Sequence, residues 1–78
     1  MEMKEQLEIL NGKVAQAPES PEVYMERGVY YYSCSDFGNA INDFNRVLQY
    51  DADNTAAKEY LNMIQEILAF RYTDLYNP

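Results

Sequence analysis

The chain contains no histidine and no tryptophan, a single cysteine, and only six basic residues among 78. Each shortage excludes something. Without histidine, Ser-His and Cys-His nucleophile pairs cannot be assembled. With Cys34 alone, no intrachain disulfide can form, which fits a reducing compartment. Lys4, Lys13, Arg27, Arg46, Lys58 and Arg71 are scattered singly. Phosphate backbones and anionic membrane surfaces require clustered Lys and Arg, so neither nucleic acid nor membrane is an expected partner. Gly12, Gly28 and Gly38 are isolated, which leaves no phosphate-cradling loop. Asp51, Asp53 and Asp74 have neither the spacing nor the turn glycine of a calcium loop. No catalytic residue, cofactor or metal is therefore expected, and the reading is that of a non-enzyme. No 18-residue apolar run occurs, and the amino terminus lacks a signal-type apolar core; a cytoplasmic location is the expectation.

What is present is acidic and tyrosine-rich. Thirteen acidic residues give a net charge of −7, 47% of the residues are hydrophobic, and eight are tyrosine. The length suits one small domain, residues 1–72, with residues 73–78 as a tail lacking helical pattern. A chain this short buries about 60–65% of its unfolded surface, so its stability margin is thin.

Periodicity and punctuation predict four helices. The first covers about residues 2–16, with Met3, Leu7, Leu10, Val14 and Ala17 spaced by four, three, four and three. Pro18 stops it. Ser20-Pro21-Glu22 supplies an N-cap, a first-turn proline and a dipole-matched acid for a second helix over about 21–34. Ser35-Asp36 offers the cap for a third, over about 37–50, with Phe37, Ala40, Ile41, Phe44, Val47 and Leu48 facing inward. Asn54 can cap a fourth over about 55–71, with Ala57, Tyr60, Leu61, Ile64, Leu68 and Tyr72 on one face.

Gly28 stands inside a helical pattern, where it costs roughly 1 kcal/mol against Ala and so needs a packing reason. Close approach of two helices, with Gly28 on one and Ala40 on the other, supplies one. A shift of 34 residues places Leu7 on Ile41, Leu10 on Phe44, Val14 on Leu48, Ser20 on Asn54, Tyr30 on Ile64 and Cys34 on Leu68. Caps fall on caps and apolar residues on apolar residues.

Tyr24, Gly28, Tyr31, Ala40 and Phe44 follow the spacing W-x2-L-G-x2-Y…A-x3-F…P of a 34-residue helix–turn–helix unit. In this the chain resembles the tetratricopeptide repeat family. Residues 21–54 look like one complete repeat, flanked by two half-repeats. Arg27 stands in place of the apolar Leu and Ala52 in place of the closing Pro. Asp36-Phe37 resembles the family's turn, with Ser35 where Gly is usual. The resemblance implies an all-α, antiparallel array in which the second and fourth helices line a concave, partner-binding face. Some family members clamp a partner's C-terminal carboxylate with basic residues. Met25, Val29, Met63 and glutamates occupy those places here, so an acidic peptide end is not an expected ligand.

Tyr24 and Tyr31 fall on repeat core positions. Cys34 reads as a packing thiol, since burial without basic neighbours keeps a thiol protonated. Met25, Val29 and Tyr32 form a second line on the second helix, and Met63, Ile67 and Phe70 a similar one on the fourth. Glu22, Glu26, Glu59 and Glu66 flank them. Two readings stand side by side. The lines form an apolar strip with an acidic border that takes an apolar or basic segment of another protein, or the fourth helix wraps far enough to bury them. Self-association through terminal helices or concave faces is the alternative function, because arrays of this kind need about three units for stability.

Overall fold

The structure, a computed structural model, describes residues 3–76, and side chains from Lys4 to Phe70. Four α-helices follow one another: α1 (Met3–Gln16), α2 (Pro21–Ser33), α3 (Phe37–Tyr50) and α4 (Thr55–Tyr76). Among the described residues there is no strand. Each helix packs against the next in sequence, and the short connections make neighbours antiparallel. The fold is all-α, as expected. One boundary differs. α4 runs to Tyr76 rather than ending near Arg71, so most of the expected tail is helical. No proline or glycine interrupts the chain between Gly38 and Pro78, and a helix already nucleated propagates through residues of modest propensity. Asn77, Pro78 and the Tyr72 side chain lie outside the described residues.

Local chemistry sets the helix ends. Asp36 caps α3, its carboxylate accepting from the Asn39 backbone N–H (3.4 Å) and side-chain amide (2.8 Å). Asn54 caps α4 through Ala57 N–H at 2.9 Å. Ser20 occupies the N-cap position of α2 but makes no side-chain cap bond; its hydroxyl donates instead to Glu22 Oε2 at 2.6 Å.

The turns before α2 and α4 share one hydrogen-bond pattern. Ala17 N–H donates to the Lys13 carbonyl (3.0 Å) and Ser20 N–H to the Ala17 carbonyl (3.0 Å). Asp51 N–H donates to the Val47 carbonyl (2.8 Å) and Asn54 N–H to the Asp51 carbonyl (3.1 Å). Every residue in the second set lies 34 positions after its counterpart in the first. The repeat read from residue types is thus also a repeat of backbone geometry at the two turns.

The core lies along α3, whose Ala40, Phe44 and Val47 are fully buried, joined by Tyr24 of α2 and by Ala57 and Ile64 of α4. Phe44 is central. Its ring stacks on Tyr60 of α4 with centroids 4.8 Å apart. On the other side it presses on Gly28: a Cβ there would stand 2.8 Å from Phe44 Cε1, and the three nearest atoms all belong to that ring. The nearest group a side chain at position 28 would meet is therefore Phe44, one turn beyond Ala40 on the same helix.

Gly28→Ala should lower stability by about 1–3 kcal/mol, because overpacking outweighs the helix-propensity gain. Gly12→Ala, where nothing lies within 4 Å of the new methyl, should raise it by about 0.5–1 kcal/mol. Urea unfolding midpoints of the two variants check the opposite signs. Ser35 adopts φ 59°, the left-handed region that penalises side chains. Ser35→Gly should therefore stabilise the fold by about 1 kcal/mol, read as a rise in thermal midpoint of several degrees.

Candidate interaction surface

Arg27 is where the chain departs from an apolar pattern, and the structure gives the reason. Its guanidinium makes a two-pronged ion pair with Asp43 of α3, Nε to Oδ2 and Nη2 to Oδ1, both at 2.8 Å. Nη1 reaches Asn11 Oδ1 of α1 at 3.0 Å. The same group lies 5.9 Å from the ring centroids of both Tyr24 and Tyr31. Hydrogen bonding to Asp43, above all, raises the guanidinium pKa above its ordinary value. Asp43 is only 4% exposed, and sequence reasoning missed it. The available signal was its place on the inner side of α3, one residue before Phe44. One residue of α2 thus holds α1 and α3 at once.

Tyr24 is a second hub. Its hydroxyl donates to the Pro18 carbonyl at 2.6 Å, its ring stacks on Tyr50 at 6.2 Å, and Arg46 lies 5.8 Å from its centroid. Tyr31 meets Tyr30 edge to face. These residues, with Gly28, Ala40 and Phe44, form the framework.

The remaining site residues divide into two places. On α2, Glu22, Met25, Glu26 and Val29 line one groove together with Pro21 and Asn54, of about 380 Å³. Met25 and Val29 are half-buried, their inner sides packed on the core and their outer sides forming an apolar floor. The two glutamates border it unequally. Glu22 is exposed, and the Ser20 hydroxyl, followed by its own backbone N–H, holds its carboxyl below the ordinary value. Glu26 is held by Lys13 of α1 at 2.7 Å. That pair is half-exposed and adds little stability, but it directs Glu26 toward α1. A second cleft between α1 and α2, lined in part by Leu10, Tyr30 and Cys34, shares Glu26 and Val29 with the groove.

On α4, Met63 is 39% exposed and Phe70 68%, while Ile67 is half-buried against the core. Glu59 and Glu66 are exposed. None of these lines the α2 groove. Tyr32, the expected surface tyrosine, is half-buried and has its ring edge-to-face with Phe37 (5.8 Å) and Tyr60 (5.1 Å). It joins α2 to α4 as packing and is not a free contact. Of the two expected lines, Met25 and Val29 thus floor an acidic-edged groove on α2, while on α4 Met63 and Phe70 are exposed and Ile67 is half-buried.

Cys34 is a half-buried free thiol at the C-cap of α2, its backbone N–H bonded to the Tyr30 and Tyr31 carbonyls. Burial, and then the neighbouring Cys34, push the Tyr30 phenol above its ordinary pKa. Among the described residues no group of three or more potential ligands could hold a metal ion, and no helix is long and apolar enough to cross a membrane. Comparison of the chain with protein-family models, curated proteins and solved structures finds no match.

The Arg27–Asp43 pair yields a clear expectation. Asp43→Ala should cost about 3 kcal/mol, because it leaves a mostly buried guanidinium without its carboxylate. Replacing both members, Arg27→Leu with Asp43→Leu, should recover most of that loss. A double-mutant cycle by chemical denaturation measures both.

Proposed function

We propose that the protein is a non-catalytic protein-interaction module of tetratricopeptide-repeat type, in which α2 receives an apolar or basic segment of a partner protein. The observation that supports this reading most is the α2 groove: Met25 and Val29 form an apolar floor between Glu22 and Glu26. Methionine suits such a floor because its unbranched thioether adapts to different side chains. A carboxylate kept ionised by Ser20 favours a cationic flank on the ligand and disfavours an acidic one. Cytoplasmic function, as an adaptor or scaffold, is the setting we assign to it, where a lone Cys34 stays reduced.

Two amphipathic peptides of equal apolar content, one lysine-rich and one glutamate-rich, test the reading. Titration with the basic peptide should shift the Met25 and Val29 methyl resonances, and the acidic peptide should leave them in place. Met25→Lys should weaken the basic peptide by about tenfold, the scale of a single hot-spot residue, with circular dichroism checking that the helices are retained. Equal binding of both peptides, or binding that leaves the Met25 methyl unmoved, overturns the proposal.

A further inference from the structure

The α2 groove carries two parallel rows. Glu22 and Glu26 stand one helical turn apart, and so do Met25 and Val29. A ligand lying along α2 therefore meets two carboxylates beside two apolar side chains. The carboxylates are not equivalent. Glu22 accepts from the Ser20 hydroxyl at 2.6 Å, a neutral donor that leaves its charge in place. Glu26 accepts from the Lys13 ammonium of α1 at 2.7 Å, so a full positive charge already stands beside it. Asn54, a further polar group of the lining, is committed to the start of α4. Its Oδ1 accepts from Ala57 N–H and its Nδ2 donates to Asp51.

The Lys13–Glu26 pair stands where the other hairpin has packing. Moved on by 34 positions, Lys13 becomes Val47 and Glu26 becomes Tyr60. Val47 is fully buried and Tyr60 packs against the core. On α1 and α2 the same places hold charged side chains that are 47% and 49% exposed. An exposed pair of this kind contributes little to stability. Its larger effect is on the groove, where it neutralises one edge and leaves the other acidic. Lys13 also displays the contact the groove offers, a lysine ammonium seated on a lining carboxylate.

We infer that Lys13 is a built-in competitor at the groove: it occupies Glu26, so a partner segment anchors one cationic residue on Glu22 and lays apolar residues over Met25 and Val29. The partner is thus a protein segment with a lysine or arginine beside apolar residues. A second cation must displace Lys13 or lie next to its positive charge. This rests on the α2 groove being the peptide site. It adds which carboxylate anchors the ligand, and it makes one side chain of α1 the limit on how much positive charge the groove accepts.

Titration with the lysine-rich amphipathic peptide tests this at about 0.15 M salt, where the Debye length is about 8 Å. The Met25 methyl resonance is the readout. Glu22→Gln should weaken binding by about two- to fivefold, the range of one exposed ion pair. Lys13→Gln should tighten it by a similar factor, since Glu26 is then open to a second lysine. Lys13→Gln together with Glu26→Gln exchanges one neutral arrangement for another and should bind as the wild type does. Lys4→Gln makes the same change in net charge about 13 Å away along α1 and should leave affinity unaltered. All these positions are exposed, and circular dichroism checks that the helices persist. Equal affinity of Lys13→Gln and wild type overturns the inference but leaves the groove as the peptide site. So does a loss in the double variant that matches Glu22→Gln, or a tightening that Lys4→Gln reproduces. A wild-type Met25 methyl that does not respond to the peptide overturns the reading of the groove, and this inference with it.

Discussion

The fold depends on one ring lying where a neighbouring helix has no side chain. Phe44 is fully buried, meets the bare backbone of Gly28 on one side and stacks on Tyr60 on the other. Three successive helices are therefore held through a single aromatic group. Close packing makes this contact intolerant of added volume, since interiors have few voids to absorb even one methyl. It also sets how near α2 and α3 can lie. At that separation the Arg27 guanidinium reaches both Asp43 Oδ atoms at 2.8 Å. The ion pair is thus a consequence of the glycine as much as of its own charges.

That pair carries a cost which the surroundings offset. A guanidinium and carboxylate removed from water lose hydration, and attraction alone does not always return it. Here the planar fork meets the carboxylate in two-point geometry, Asn11 takes a third N–H, and the faces of Tyr24 and Tyr31 lie nearby. No buried side-chain nitrogen or oxygen among the described residues lacks a partner. What the arrangement adds over an apolar contact is register. Sliding α2 or α3 by a turn separates opposite charges in a partly dry site, and sliding α1 takes the neutral Asn11 acceptor away from Nη1.

The fold was legible in the sequence because its signals are local and repeated. Pro18, Ser20-Pro21, Asp36 and Asn54 punctuate the helices at places the structure keeps, and the 34-residue shift relates two turns with the same hydrogen bonds. The site was less legible because helical periodicity gives the direction of a side chain but not what stands opposite. Tyr32 points away from the Tyr24–Gly28–Tyr31 line, yet Tyr60 arrives from α4 and covers it. Asp43 carries no signal of its own until Arg27 is seen across from it. Arg27 reads as a departure from an apolar pattern for the same reason. In each case the missing information was a partner more than a dozen residues away.

The helices differ in how many neighbours they have, and this governs where unmatched surface remains. α2 is flanked by α1 and α3 and also touches α4 through Tyr32; α3 is flanked by α2 and α4. α1 and α4 each have one sequential neighbour. Ordinary globular packing would give these two helices polar outer faces, as α3 has with Asn39, Asn42 and Asn45 exposed. Instead Ile9 on α1 and Met63 and Phe70 on α4 stand in solvent, while the interior holds the matched charges. The chain thus buries its charge pair where α2 meets α3, while the place on α1 that corresponds to Asp43 holds an exposed aliphatic group, Ile9, and the place on α4 that corresponds to Arg27 holds the half-buried Leu61.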